Sequence, residues 1–403
     1  MIINPIEISA SDDKVKVQSL IEFSNEKKYL WYSIPKEFSK YLTTEKLDGF
    51  LVGVLMLAMR LGEDIEVKGA VSEKLYFNLT NSYMNIIQLV IPELKKVRIN
   101  PQCLDDGKTA ECEGAVVTGF SAGVDSFCTI YDHYFNATTP AYKITHFVFN
   151  NVGSHGEWDS ERSRELFNAR YDLLKGYPRE IGIEFIKIDS NISEILKWNF
   201  WNTHVPRNVS TILLLQKLFA KYYYSSSYQY KDCIIEPHHD IAITDPIAVH
   251  LLSTETLECI STGCQYSRVE KTRRLAKLTG ANRWLNVCVS PTPDGKNCST
   301  CVKCCRTLLT LEVLGLLEYF GQVFNLEKWE KVKNRYLIGA LGNEKNPFMK
   351  EIREYANNVG YSFSPSIAIA SKSLNFTLGN SGLSLIQFLE VIKKNINLSH
   401  KRK

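Results

Sequence analysis

The sequence predicts an α/β protein built on a parallel sheet, and three observations lead to this fold class. From residue 115 onward, short apolar runs rich in β-branched residues alternate with stretches of helical pattern. A loop of small residues separates the first of these runs from its helix. The composition of the 403 residues, 44% hydrophobic and 23% charged, is that of a globular protein. We therefore expect a parallel sheet covered by helices on both faces.

Composition also limits the function and the location. A net charge of +4 is too small to indicate a dedicated nucleic-acid binder. The first residues lack a secretory signal pattern, and the most apolar stretch, residues 50–59, is too short to cross a bilayer. We expect a cytoplasmic protein with no membrane association. The sequence is compatible with an oligomeric protein.

Residues 1–110 predict a separate N-terminal α+β domain, used for docking or for shaping a substrate site. A polar, turn-rich connection over residues 100–114 marks its end. The patterns predict strands over 15–18, 20–23, 29–33, 65–67 and 97–99, and helices over 47–61 and 73–89.

Residues 111–287 predict the α/β domain itself. Expected strands are 115–120, 146–150, 184–188 and 233–235, with helices over 126–134, 157–175 and 207–224. Ligands of such sheets bind beyond the carboxyl ends of the strands, where the strand order reverses. The loops after the first two strands should therefore share one rim.

The loop after the first strand reads Ser121-Ala122-Gly123-Val124-Asp125-Ser126. A turn of this kind presents backbone N–H groups and the positive end of a helix dipole, and Ser121 and Ser126 add hydroxyl donors. This arrangement suits a phosphate, and Asp125 is then expected to face Mg²⁺. The alternative is an ordinary strand-to-helix turn.

Two further segments carry basic residues. Arg207 follows Pro206 at the start of an apolar stretch, where a guanidinium can bind a phosphate or carboxylate, although an exposed arginine on a capped helix is an equal alternative. Arg268 and Lys271 lie three residues apart on one helix face, where they either close over a polyphosphate or belong to a solvated face.

Four of the eleven cysteines predict a metal site: Cys288, Cys298, Cys301 and Cys304. The Cys-x9-Cys-x2-Cys-x2-Cys spacing fits tetrahedral Zn²⁺, and four protein ligands make the zinc structural. Cys305 is an alternative to Cys304 as ligand, and an iron–sulfur cluster is the alternative to zinc. Residues 307–403 predict a helical C-terminal region, with helices over 307–320, 326–336 and 382–395.

The 121–126 loop resembles the SGGxDS signature of the PP-loop ATP pyrophosphatases, which cleave ATP to AMP and pyrophosphate while activating a substrate oxygen. Ala122 stands where that family has glycine. If the position requires a positive φ, the methyl group costs about 1 kcal/mol. Residues 115–310 are similar to the QueC-type branch of this family, 7-cyano-7-deazaguanine synthase. Four features carry the resemblance: the 121–126 loop, the segments 206–208 and 268–271, and the four cysteines.

The resemblance implies an adenine nucleotide α-hydrolase-like core with ATP, Mg²⁺ and a structural Zn²⁺. It implies catalytic roles for Asp125, Arg207 and Arg268. The ATP-binding residues that it implies are Ser121, Ala122, Gly123, Val124, Asp125, Ser126, Asn150, Asn208 and Lys271.

The expected reaction is adenylation of a carboxylate, 7-carboxy-7-deazaguanine, followed by transfer to a nitrogen nucleophile. The large flanking segments favour the QueC-like proteins of bacterial antiviral gene clusters, whose acceptor is a protein N-terminal amine. A synthase that uses ammonia to form 7-cyano-7-deazaguanine is the main alternative. A tRNA-modifying PP-loop enzyme and a non-catalytic nucleotide-binding scaffold also stay open.

Overall fold

The computed structural model describes residues 1–108, 111–156, 160–290, 292–343, 346–367 and 369–371. The chain divides into two compact units, Met1–Gln265 and Tyr266–Lys403. The predicted helix over 382–395 lies outside the described residues.

The first unit contains one large, mixed sheet with eleven strands in its described part. Their bounds are β1 Ile2–Ile3, β2 Glu7–Ala10, β3 Lys14–Phe23, β4 Glu26–Pro35, β5 Ile65–Ser72, β6 Ile99–Asp105, β7 Ala115–Gly119, β8 His146–Asn151, β9 Glu184–Ser190, β10 Phe219–Ser225 and β11 Glu258–Thr262.

Five of these strands form a parallel block in the order β11-β10-β7-β8-β9. The chain starts in the middle at β7, continues through β8 to β9, and then returns to β10 and β11 on the other side. This is the doubly wound order, in which the direction of strand addition reverses beside the first strand. The predicted α/β fold class with a mostly parallel sheet is therefore confirmed.

The N-terminal strands extend the same sheet instead of forming a separate one. β4 pairs with β9 in antiparallel fashion, with Tyr32 opposite Ser190, and β3, β1, β5 and β6 follow outward. Strands on both sides of the predicted domain boundary at residue 110 thus belong to one sheet and to the compact unit Met1–Gln265. The predicted connection over 100–114 is wrong at its start, because residues 100–105 belong to β6.

Helices cover the sheet and build the second unit. Their bounds are α1 Asp48–Leu61, α2 Glu73–Asn78, α3 Met84–Val90, α4 Val124–Ile130, α5 Ser160–Leu174, α6 Gly176–Ile181, α7 Ile192–Leu196, α8 His204–Leu213, α9 Asp245–Ala248, α10 Arg268–Leu275, α11 Ala281–Trp284, α12 Val302–Val313, α13 Leu326–Gly342 and α14 Pro347–Asn358. A π-helical turn, Leu79–Tyr83, joins α2 to α3, and another, Tyr131–Phe135, continues α4.

Two predicted elements of the parallel block are wrong. The helix expected over 207–224 ends at Leu213, and the aromatic run that follows forms β10, because consecutive tyrosines favour a strand. The strand expected over 233–235 is a loop in which Ile234 and Ile235 are exposed. β11 was not predicted. The predicted helix over 307–320 belongs to α12, which starts and ends earlier.

The N-terminal region packs directly on the parallel block through α1 and α8. A Cβ added at Gly49 would lie 2.8 Å from the carbonyl oxygen of Ser210, so the two helices approach as closely as their backbones allow. The Tyr32 hydroxyl donates to Ser210 Oγ at 3.0 Å. Twelve consecutive residues of α1, from Asp48 to Met59, are buried, which explains its apolar sequence. Among the described residues, no helix has the length and apolar character needed to cross a bilayer.

Candidate functional site

The 121–126 loop follows β7 at the point where the strand order reverses. β7 lies between β8 and β10, and all three run parallel, so their carboxyl ends form one rim. The amide of Phe120 donates to the carbonyl oxygen of Val148 at 2.9 Å, which fixes the start of the loop to β8. The expectation that the loops after β7 and β8 share one rim is confirmed.

The conformation of the loop is specific. Ala122 has a φ of +54° and is fully buried, so this position does require the left-handed region that glycine adopts without strain. The amide of Gly123 donates to Ser121 Oγ at 3.3 Å, and Ser126 Oγ donates to the carbonyl oxygen of Gly123 at 3.0 Å. Ser121 is exposed, and Asp125 is half-buried in the first turn of α4.

Hydroxyl groups fix α4 to the two neighbouring strand ends. Thr129 Oγ1 lies 2.8 Å from Ser225 Oγ at the end of β10 and 2.9 Å from Thr262 Oγ1 at the end of β11. Sequence patterns did not predict Ser225 or Thr262 as site residues. A run of small polar residues at the end of each strand was visible in the sequence, but it indicates a shared site only when the two strands are known to be neighbours.

The structure brings together two of the predicted ATP-binding residues, Asn150 and Asn208. Asn150 is the last but one residue of β8, and its Nδ2 donates to Asn208 Oδ1 on α8 at 3.2 Å. Asn208 Nδ2 in turn donates to the carbonyl oxygen of His204 at 2.8 Å. Asn150 is 8% exposed, and its Oδ1 accepts no hydrogen bond from the described residues. This buried amide oxygen can accept a hydrogen bond from a ligand.

Arg207 lies inside the protein and is not the exposed arginine of a capped helix. Its Nη1 donates to the Val152 carbonyl oxygen at 3.0 Å and to Ser193 Oγ at 3.2 Å, and its Nη2 donates to the Trp198 carbonyl oxygen at 2.8 Å. Burial lowers the pKa of Arg207 to about 10, and nearby Arg60 adds to this effect. The guanidinium therefore holds two loops in place beside the rim.

We expect Gly153→Ala to be strongly destabilising because of Arg207. Gly153 has a φ of +116°, and a Cβ there would lie 2.3 Å from Arg207 Nη1. Strain and the displaced guanidinium should lower the free energy of unfolding by about 2–4 kcal/mol in urea denaturation. The matched control is Gly182→Ala, where φ is +71° and no atom lies within 4 Å of the added Cβ. It should cost about 1 kcal/mol, and equal losses in the two variants would contradict the packing at Gly153.

Arg268 and Lys271 belong to the second unit, whereas the 121–126 loop belongs to the first. Both are buried, at 6% and 0% exposure, so they do not form a solvated face. The backbone amide of Arg268 donates to Glu351 Oε2 at 2.7 Å, and its guanidinium lies 5.2 Å from the Phe348 ring centroid. Arg306 lies against the same ring at 4.2 Å.

The four predicted cysteine ligands come together in the second unit. The Sγ atoms of Cys288, Cys298, Cys301 and Cys304 all lie within 4.8 Å of one another. Cys288 Sγ is 3.8 Å from Cys301 Sγ, and Cys298 Sγ is 4.0 Å from Cys304 Sγ. A tetrahedral ion with Zn–S bonds of about 2.3 Å needs sulfurs about 3.8 Å apart. The cysteines are therefore positioned to bind a metal ion such as zinc, and Cys305 is not one of the four.

Backbone geometry supports this sulfur cluster. Ser299 has a φ of +64° in the tight turn after Cys298, and the amides of Thr300 and Cys301 donate to Cys298 Sγ at 3.4 and 3.2 Å. Asn297 accepts from the amide of Val287 and donates to the Leu285 carbonyl oxygen, which holds the two ligand-bearing segments together. α12 begins directly after Cys301, so Cys304 lies in its first turn.

Comparisons with known proteins do not place this chain in a family. No protein-family model, no curated protein and no solved structure matches it.

Proposed function

We propose that the chain uses ATP to activate a carboxylate as an acyl adenylate, releasing pyrophosphate, and then transfers the acyl group to a nitrogen nucleophile. The observation that supports this most directly is the 121–126 loop. It joins a buried parallel strand to a helix at the reversal of strand order, where doubly wound proteins bind ligands. Its SGGxDS-like residues resemble the PP-loop signature.

In this proposal the loop binds the β- and γ-phosphates that leave as pyrophosphate. Ser121 is exposed, so its hydroxyl hydrogen and the backbone amides of the first turn of α4 are in place for phosphate oxygens at the start of a helix. Asp125 would hold Mg²⁺, which would neutralise charge on the phosphates as the α–β bond breaks. The left-handed φ of Ala122 directs the chain around this turn.

Asn150 and Asn208 would bind the nucleotide or the acyl substrate. The Oδ1 of Asn150 has no hydrogen-bond donor among the described residues, and it lies at the carboxyl end of β8, next to β7. An exocyclic amino group of a purine or deazapurine would supply the missing donor. Arg207 would act by fixing the loops that carry Val152 and Trp198, since these already receive hydrogen bonds from its Nη atoms.

The substrate class rests on the resemblance to the QueC-type branch. It assigns 7-carboxy-7-deazaguanine as the carboxylate, and either a protein N-terminal amine in antiviral defence or ammonia as the nitrogen nucleophile. The same resemblance assigns phosphate contacts to Arg268 and Lys271 and a structural zinc to the four cysteines. Tetrahedral sulfur spacing supports the zinc independently.

The test is ATP–pyrophosphate exchange by the full chain with Mg²⁺ and 7-carboxy-7-deazaguanine, followed by identification of the deazapurine products with and without ammonium. Exchange that requires the carboxylate is the expected result. Amide or nitrile in the presence of ammonium identifies the ammonia-using synthase, and a retained adenylate without either product identifies a protein acceptor. Absence of exchange and of AMP with this carboxylate contradicts the proposed substrate, and absence of ATP binding as well contradicts the proposed reaction.

A further inference from the structure

Three hydrogen-bonded polar side chains lie beside the rim, buried His204 and Asp240 and half-buried Tyr224, and none of the predicted roles uses them. His204 is the first residue of α8, Tyr224 is the last but one residue of β10, and Asp240 precedes the short helical turn 241–244. His204 Nε2 lies 3.2 Å from Asp240 Oδ1, and His204 Nδ1 is hydrogen-bonded to the Tyr224 hydroxyl. His204 is 8% exposed and Asp240 is 5% exposed.

The hydrogen bonds among Tyr224, His204 and Asp240 define which atoms donate and which accept. Burial opposes the ionisation of Asp240, but the hydrogen bonds with His204 and the Ala242 amide hold the pKa of Asp240 below its ordinary value. An ionised carboxylate only accepts, so Nε2 of His204 donates to it, and in the neutral imidazole Nδ1 is then the acceptor. Burial raises the pKa of Tyr224 well above its ordinary value, so its hydroxyl keeps the proton that it donates to Nδ1. The arrangement follows the logic of a Ser-His-Asp triad, with a phenol in the place of the serine.

The three residues are linked to the proposed nucleotide site through α8 and β10. Asn208, which is bonded to Asn150, donates to the carbonyl oxygen of His204 at 2.8 Å. Tyr224 lies near the carboxyl end of β10, which pairs with β7, the strand that leads into the 121–126 loop. The three residues are therefore part of the carboxyl-end rim at which the acyl adenylate would form.

We propose that Tyr224, His204 and Asp240 form a proton relay that accepts the proton of the nitrogen nucleophile during acyl transfer. This inference rests on the proposed function. Tyr224 is the residue that meets the nucleophile, while His204 and Asp240 are positioning residues that act through its hydroxyl.

The nitrogen attacks the acyl carbon and forms the C–N bond, and the bond from that carbon to the phosphate oxygen breaks, so AMP leaves with the electron pair. A proton from the nitrogen moves to the Tyr224 oxygen as the hydroxyl proton of Tyr224 moves to His204 Nδ1. The resulting imidazolium is stabilised by Asp240 and later releases its proton to solvent.

The test measures adenylation and acyl transfer separately in the Tyr224→Phe variant. This substitution keeps the aromatic ring and removes only the hydroxyl. ATP–pyrophosphate exchange with 7-carboxy-7-deazaguanine should stay within about two-fold of wild type, whereas amide formation from ammonium should fall about 100-fold. The matched control is Tyr222→Phe, a buried tyrosine two residues earlier on the same strand, and it should leave both steps unchanged.

Two results would overturn the relay. One is an equal loss of exchange and transfer in Tyr224→Phe, and the other is no loss of transfer. Wild-type exchange without transfer to ammonium identifies a protein acceptor, and the NMR measurement below then decides. Absence of exchange in the wild type would instead refute the proposed function, and the relay with it. Nitrogen-15 NMR of histidine-labelled full chain gives an independent reading: His204 Nδ1 should be unprotonated and should shift in Tyr224→Phe, and a protonated Nδ1 would exclude the relay whatever the activity.

Discussion

Asp125→Asn is expected to reduce pyrophosphate release by about 10²–10³-fold or more while the protein stays folded. Asp125 belongs to the 121–126 loop and lies half-buried in the first turn of α4. The neutral amide is a much weaker ligand for Mg²⁺ than the carboxylate, so charge on the departing pyrophosphate would no longer be neutralised. Loss of a negative charge at a helix N-terminus should cost only about 0.3–1 kcal/mol of stability.

The measurement is steady-state pyrophosphate release, paired with thermal unfolding of the same samples. Asp132→Asn is the matched control, because Asp132 lies further along the same helical segment, in the π-helical turn. It should retain activity within about two-fold of wild type. Normal turnover in Asp125→Asn would remove the metal-binding role of this carboxylate, and unfolding of the variant would show that its role is structural.

Cys301→Ser is expected to lose the bound metal and a large part of the stability together. Cys301 contributes one of the four sulfurs and also sits at the start of α12. Hydrogen bonds with the sulfurs of Cys288 and Cys301, together with burial, raise the pKa of Cys304 well above its ordinary value. Four thiolates this close repel one another, so a divalent cation is needed to hold them together. We expect less than one zinc per chain by elemental analysis, and a fall of about 10 °C or more in the thermal midpoint.

Cys305→Ser provides the control, because Cys305 is the buried neighbour of Cys304 and lies outside the four-sulfur group. It should keep one zinc per chain, with a fall of about 5 °C or less in the midpoint. If Cys301→Ser kept its zinc and its stability, the four-sulfur assignment would be wrong. Iron and an absorbance band in the purified protein would instead support an iron–sulfur cluster.

Local patterns in the sequence were sufficient to predict β7, β8 and β9 of the parallel block, the 121–126 loop and the four-cysteine cluster. Each depends on neighbours within about ten residues: a strand followed by a small-residue turn, or cysteines at close spacing. The positive φ of Ala122 also follows from local sequence, since the resemblance expects glycine at that position. The side chain of Ala122 is nevertheless fully buried, a fact that no local pattern contains.

Long-range pairing could not be predicted in the same way. The N-terminal strands join the parallel block through β4 and β9, which are more than 140 residues apart, and the hydrogen bond from Ser190 Oγ to the carbonyl oxygen of Trp31 strengthens that junction. Arg207 was predicted to bind an anion, but its Nη atoms bind loop carbonyl oxygens that only the tertiary fold brings near. Tyr224, the first member of the proposed relay, belongs to β10. The sequence pattern predicted a helix for these residues, so it did not predict that Tyr224 lies near His204 and Asp240.

The central claim is that the 121–126 loop binds the phosphates of ATP. Hydrogen exchange of the full chain, with and without Mg²⁺ and α,β-methylene-ATP, tests it most directly, because this analogue cannot be cleaved and no carboxylate is required. We expect slower exchange in peptides that cover residues 119–130, with a smaller effect at the end of β8 near Asn150. Unchanged exchange at the loop, with protection elsewhere or nowhere, would contradict the assignment of this loop as the nucleotide site.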